Sequence, residues 1–241
     1  MGSIREELIS KLEETFQKKV IWLVYNPYKE IEKGDEVYIK WVIKKENFSN
    51  CILILSGSGG DFETALLMSY ILRNNINYYA CFIPSVAGSS LCYIILHSNK
   101  LIMGRNSLLT QIDPLFEHEG DQYRAIKHLD DDKIIIHNKS HDVFNYVFEK
   151  LKCLLSYKQS LLKCREVKLG YISPIIYLFM GKEYHDSGVR YHELSKLNIN
   201  LELVEEDIIN IGKKLIRECR RELEIEKNRL VIQTNKGGYF F

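Results

Sequence analysis

Apolar and polar residues alternate along this chain in blocks, and the block lengths name the elements. In residues 4 to 16, Ile4, Leu8, Leu12 and Phe16 recur four apart with charges between them, the pattern of a short amphipathic helix. Val20 to Tyr25 is unbroken apolar sequence ahead of Asn26-Pro27, which predicts a buried strand. Residues 31 to 45 read as a helix carrying Val37, Ile39, Trp41 and Val42, entered through Gly34-Asp35. Cys51 to Leu55 is a second apolar run, and it stops at Ser56-Gly57-Ser58-Gly59-Gly60. Ala65, Leu66, Met68, Ile71 and Leu72 then fall at helical spacing. The unit repeats with Tyr79 to Ile83 as a strand, Pro84 to Ser90 as a turn, and Leu91 to Leu96 as a helix apolar on all sides, as a helix in a domain interior must be.

The second half is more helical. Residues 115 to 132 are polar and predict a solvated loop, with a lid as its functional alternative. From Asp132 to Lys163, Ile135, Val143, Phe144, Val147, Phe148, Leu151, Leu154 and Leu155 predict one long helix or a helical pair. Residues 171 to 180 form an apolar stretch whose Pro174 suits a first helical turn. A short helix over Tyr191 to Leu197 and a strand over Ile199 to Val204 follow. In the tail, Ile209, Ile216, Leu223 and Leu230 recur every seven residues with Cys219 between, predicting a helix from Asp207 to Leu230. Its apolar stripe fits a coiled-coil seam or packing on its own protomer equally well. Gly237 to Phe241 reads as a loose end or small anchor. Strands alternating with helices as far as Pro114 imply βαβ units and a mostly parallel sheet, hence an α/β fold. The pattern alone equally permits a doubly wound sheet.

Composition narrows the setting. The 241 residues suffice for one large α/β domain, and a formal net charge of +1 points to neither nucleic acid nor anionic membrane. The six cysteines lack any C-x-x-C pair and read as small buried hydrophobes of a reducing compartment. No apolar stretch approaches the roughly 20 residues of a membrane span, and no signal peptide is apparent, so a cytoplasmic location without a membrane span is expected. His118 among Glu117 and Glu119 has no second cluster of ligands, so no metal is expected.

The chemistry concentrates in the two small-residue turns. A hydroxyl at Ser89 or Ser90, at the mouth of a buried helix, is either a nucleophile beside the helix N-terminus or its N-cap. Gly57-x-Gly59-Gly60 lacks the third glycine of a dinucleotide fingerprint, no phosphate loop is present, and Ser89-Ser90 does not form a Gly-x-Ser-x-Gly elbow. No cofactor is implied.

Four segments in order resemble the Clp-fold serine peptidases, most closely the serine dehydrogenase proteinase family related to signal peptide peptidase A. They are Ser58-Gly59-Gly60; Ala87-Gly88-Ser89-Ser90-Leu91; Lys100 to Gly104 with Ser107 to Leu109 and Gln111 to Pro114; and Gly181 to Asp186 with Glu193 to Leu197. Ser58 stands where the family has proline, and Ser90-Leu91 where it has Ala-Gly. Gln111-Ile112-Asp113-Pro114 carries no histidine where Clp peptidases have one.

The resemblance implies a Clp/crotonase-like spiral of βαβ units over residues 1–204; residues 205–241, which it does not cover, read from their own pattern as a charged C-terminal helix and tail. It implies an ATP-independent serine peptidase with Ser89 as nucleophile, the N–H groups of Gly59, Gly60 and Ser90 as oxyanion donors, and a lysine base, for which Lys127 is the nearest candidate by position. Lys133 and Lys139 remain open, as do His128 and His185, and Asp113 is an orienting residue or a turn cap. The expected substrate is a peptide or unfolded protein. The expected assembly is a homo-oligomer, with the C-terminal helix offering a surface to a regulatory partner. Two alternatives stand beside this reading: a catalytically silent protein of the same fold that binds peptide or a partner, and acyl-CoA chemistry in the related crotonase fold. Leu91 is expected to crowd the helix start in the first of these.

Overall fold

The continuous apolar runs become the centre of a seven-stranded sheet because a parallel strand covered on both faces has no polar side to show. The computed structural model describes residues 4–26, 28–161, 179–180, 188–197 and 199–241. The chain divides into two compact units, Met1–Leu109 with Arg190–Phe241, and Thr110–Val189.

In the first unit the order is α1 (Ile4–Phe16), β1 (Lys19–Tyr25), α2 (Asp35–Glu46), β2 (Asn50–Ser56), α3 (Phe62–Asn75), β3 (Tyr78–Ile83), β4 (Val86–Ala87), α4 (Leu91–His97), β5 (Lys100–Met103) and β6 (Leu108–Leu109). The second contains a hairpin, β7 (Leu115–His118) and β8 (Asp121–Arg124), a 3-10 turn (Ala125–His128) and α5 (Ile134–Leu161). After β9 (Val189–Arg190) the chain continues through α6 (Tyr191–Leu194), β10 (Leu201–Leu203), α7 (Glu206–Glu226), β11 (Leu230–Thr234) and β12 (Gly237–Phe240). The large sheet runs β10-β5-β3-β2-β1-β11-β12, parallel from β10 to β1 and antiparallel thereafter.

Register turns the sheet into two apolar faces. Trp22, Ile54, Phe82 and Ile102 lie side by side across four strands. That row packs with Leu8, Ile9 and Leu12 of α1 and with Ile209, Leu215, Ile216, Cys219 and Leu223 of α7 in one core cluster. Each such side chain, fully buried, contributes about 1.5–3 kcal/mol. The other face meets α2 and α4: Tyr25 Oη donates to Asp35 at 3.0 Å, and Tyr79 Oη donates to the Ile94 carbonyl at 3.2 Å. Burial pushes the phenols of Tyr25 and Tyr79 well above their ordinary range, and Asp35 adds to the effect at Tyr25.

The two halves of the large unit are joined by a buried carboxylate. Asp35 is fully buried and accepts from Tyr25 Oη and from the N–H of Glu32 at 3.1 Å, and it pairs with Arg229, whose guanidinium also holds Glu32. Arg229 immediately precedes β11, so this charge ties the last hairpin to the loop between β1 and α2.

Three expectations are revised. The tail helix ends at Glu226, where Lys227 turns left-handed (φ 56°), and Leu230 to Thr234 is a fully buried strand antiparallel to β1. The segment read as a loose end is its partner strand. The β-branched pair Val231-Ile232 before an Asn-Lys-Gly turn outweighs one more heptad position. In the smaller unit, residues 115–124 form a hairpin rather than a loop, because Glu119 and Gly120 both take positive φ (55° and 88°) and close a two-residue turn. The helix expected from Asp132 is one element of 28 residues. The apolar stretch at residues 171–178 and the segment from Gly181 to Asp186 with His185 lie outside the described residues.

Removing one partner from a buried ion pair leaves the other charge stranded. Asp35→Ala is therefore expected to lower the unfolding free energy by about 3–5 kcal/mol in urea titrations. A loss below about 1 kcal/mol would mean that the Arg229 pair is no more than a surface contact.

Candidate active site

Parallel strands bring their carboxyl ends to one edge, and the turns that leave adjacent strands there meet. β2 and β3 are neighbours, so the turn after Ser56 and the turn after Ile83 run side by side. Gly57 and Ala87 form a parallel bridge, and the N–H of Gly88 donates to the Gly57 carbonyl at 3.0 Å.

The approach is too close for side chains. A Cβ on Gly59 would lie 2.7 Å from Ser89 Cβ, 2.9 Å from the Gly88 oxygen and 3.0 Å from the Ser90 nitrogen, and Gly59 has φ 108°. A Cβ on Gly88 would lie 2.5 Å from the Ser58 oxygen. The two turns thus interlock through glycine at both sides of the contact. Ile31, in the loop that Asp35 anchors, holds the first turn from behind: its N–H donates to the Gly59 carbonyl at 2.7 Å, and its carbonyl accepts from the N–H of Asp61 at 2.9 Å. Nothing in the sequence around Ile31, an apolar residue between Glu30 and Glu32, signals this role.

Ser89 is half-buried and left-handed, with φ 46°, a conformation costing about 1–3 kcal/mol for a residue with a Cβ. Ser90 follows as the N-cap residue of α4 in helical conformation, and its side chain makes no capping bond. Its hydroxyl is buried without a hydrogen-bond partner among the described residues, so Ser89 offers the more accessible oxygen of the pair. The carbonyls of Gly88, Ser89 and Ser90 accept from Leu91, Cys92 and Tyr93 at 3.0, 2.9 and 3.0 Å, a tight first turn. Among the described residues the N–H groups of Gly60 and Ser90 are spent on no hydrogen bond within the protein.

Neighbouring groups sort by environment. Leu91 does not crowd the helix start: it is fully buried and turns inward, its Cδ1 lying 3.2 Å from the position of a Cβ on Gly57. Burial raises the Cys92 thiol, which removes it as a competing thiolate nucleophile. The start of α3 is not open to an anion, since Asp61 caps it by accepting from the N–H of Thr64 at 2.9 Å and the Thr64 hydroxyl at 2.6 Å.

The remaining sequence candidates lie in the smaller unit. Lys127 sits on the 3-10 turn with an exposed side chain, and Lys133 is exposed. Lys139 Nζ is 3.2 Å from His118 Nδ1. His128 Nδ1 is 2.7 Å from Asp131, and that hydrogen bond lowers the Asp131 carboxyl. Asp113 is buried, its carboxylate 3.7 Å from Arg124 Nε. Among the described residues no group of three or more His, Cys, Asp or Glu side chains is arranged to hold a metal ion.

Gly34 supplies a control for the glycine contact, because its φ of 105° matches that of Gly59 while nothing lies within 4 Å of its missing Cβ. Gly59→Ala is expected to destabilise the protein by about 1–3 kcal/mol more than Gly34→Ala in parallel urea titrations. Equal losses would show that the turns do not press together.

No protein-family model matches this sequence, and no curated protein matches it. Among solved structures it is similar to a serine-to-alanine mutant of the 1510-N membrane-bound stomatin-specific protease, with a TM-score of 0.50 and 17% identity, covering 77% of this chain and 79% of that one. A lysine-to-alanine mutant of the same protease in complex with a substrate peptide aligns with a TM-score of 0.46 and 14% identity over 73% of this chain and 70% of that one. Among the described residues no helix is long and apolar enough to cross a membrane. The fold is the Clp/crotonase-like α/β fold that the sequence segments imply.

Proposed function

We propose that this protein is a serine peptidase that cleaves peptide bonds through Ser89. The observation that carries the reading is the conformation of Ser89: a left-handed serine wedged against Gly59, one residue ahead of a helix that its neighbour Ser90 leaves uncapped. A cap residue gains stability by bonding the helix, which Ser90 does not do, and the strained, more accessible serine before it is the candidate for chemistry. The solved structures of similar fold being a protease supports the reading.

In the proposed reaction the Ser89 oxygen attacks the scissile carbonyl and its proton passes to a lysine amine, with Lys127 as first candidate. The carbonyl oxygen takes up negative charge and is held by N–H groups of Ser90 and of the Gly59-Gly60 turn at about 2.7–3.1 Å. The Gly57–Gly88 and Ile31–Gly59 bonds that tie the two turns support a preorganised donor pair in this reading. Asp113 is carried as the candidate orienting residue for that base. The substrate is a peptide or unfolded protein, hydrolysis proceeds without ATP, and the enzyme works as a cytoplasmic homo-oligomer.

A fluorophosphonate probe is expected to label Ser89, with labelling abolished by Ser89→Ala and retained by Ser90→Ala. Lys127→Met is expected to slow labelling by about 10²-fold or more, the scale of general base catalysis. Slowing by Lys133→Met or Lys139→Met instead would transfer the base to that residue. Labelling that survives Ser89→Ala would overturn the nucleophile, and a wild-type protein that takes no label but binds peptide would be the silent member of the fold.

A further inference from the structure

The outer face of α7 carries a charge pattern that neither the fold nor the peptidase reading uses. Lys213, Arg217, Arg220 and Arg221 fall at i, i+4, i+7 and i+8, and with Ser85 and Glu224 they line a cavity of about 420 Å³. Four cations face one carboxylate there, in a chain whose formal net charge is only +1. Like charges three and four apart weaken a helix. The helix dipole does not account for them, since its influence is confined to the last turn and the last turn of α7 has no basic residue.

The cations are also poorly neutralised from within. Lys213 is tied to Glu206 at 3.1 Å, while Arg217 and Arg221 have no ion-pair partner among the described residues. Arg220 is half-buried and held in place: its Nη2 donates to Ser56 Oγ at 2.9 Å, and its Nε is buried with no hydrogen-bond partner among the described residues. A guanidinium anchored at one corner by Ser56 keeps the rest of its planar fork for an oxyanion in the cavity.

We infer that this cavity binds a small phosphorylated molecule carrying at least two negative charges. The volume falls within the roughly 300–1,000 Å³ of small-ligand sites. The planar guanidinium fork matches two phosphate oxygens at once, and Ser85, also lining the cavity, can add a neutral hydroxyl donor. With Lys213 paired to Glu206, three arginines against Glu224 leave a surplus of two, which calls for a multiply charged anion in place of a single carboxylate. The location bears on regulation, because Ser56 ends β2 and Ser85 follows β3, the two strands whose turns meet at Gly59 and Ser89.

Titration calorimetry of the full chain with pyrophosphate, at constant ionic strength in chloride, tests this. Saturable one-site binding is expected. Arg217→Gln with Arg221→Gln, both exposed positions, is expected to weaken it at least about tenfold. Glu224→Gln is expected to tighten it about two- to fivefold, a change of sign that no folding defect mimics. The absence of saturable heat would overturn the inference, as would affinity unaltered in the double variant. Citrate bound as tightly as pyrophosphate would overturn the phosphate assignment in favour of carboxylates. A single-stranded oligonucleotide bound more tightly than pyrophosphate would make the face a nucleic-acid surface. None of these readouts depends on Ser89, so they stand or fall apart from the peptidase reading.

Discussion

The contact between Gly59 and the Gly88-Ser89-Ser90 turn governs this structure more than any single apolar pair. Two backbones approach there until no Cβ fits between them, and everything that fixes β2 against β3 fixes this contact as well. A left-handed serine persists only when its surroundings leave it no alternative. Here the constraint comes from three directions: the Gly57–Gly88 bond along the bridge, the inward packing of Leu91, and the buried α4 that must begin one residue after Ser90. The conformational cost at Ser89 is thus distributed over the sheet, and the hydroxyl is placed by the fold and not by its own preferences.

The same logic explains why the end of the chain matters to its middle. Asp35 joins Arg229 to Tyr25, and Arg229 opens the hairpin that extends the sheet beyond β1. The loop holding Asp35 also contains Ile31, which brackets the Gly59-Gly60 turn with two backbone bonds. A connection therefore runs from the final hairpin through one buried carboxylate to the first of the two turns. α7 closes the opposite face, and at Gly212 it lies so near the start of the second turn that a Cβ there would be 2.6 Å from Pro84 Cβ.

How much of this the sequence disclosed depends on what kind of signal each element carries. The runs Val20 to Tyr25, Cys51 to Leu55 and Tyr79 to Ile83 were legible because a strand buried on both faces cannot contain polar residues. The Gly-rich and Ser-rich turns were legible because small residues cluster where backbones must approach. Leu230 to Thr234 was hidden: the heptad count absorbed Leu230, and an antiparallel strand added beyond β1 needs no crossover pattern to announce it. The hairpin at 115–124 was hidden by its charges, since an exposed two-stranded ribbon has little apolar face. Ile31 and Asp35 were beyond reach because their work depends on partners about thirty and two hundred residues away in sequence, and no local rule encodes either distance.

Of the two serines, the local rule for helix starts favours a cap, and the structure separates the positions that the rule confuses. Ser90 occupies the cap position and leaves its hydroxyl buried and unbonded; Ser89 stands one residue earlier in the strained geometry. Had the pair served only to begin α4, the cap would bond the helix and the preceding residue would be free to relax into an extended conformation. The observed arrangement reverses both. It forgoes about 0.5–2 kcal/mol of capping and sustains about 1–3 kcal/mol of strain; Glu119 and Lys227 take the left-handed conformation in ordinary turns, so it is the two costs falling together on one turn that set this one apart. The excess is accounted for if the turn's task is to hold one hydroxyl beside backbone donors of two adjacent strand ends.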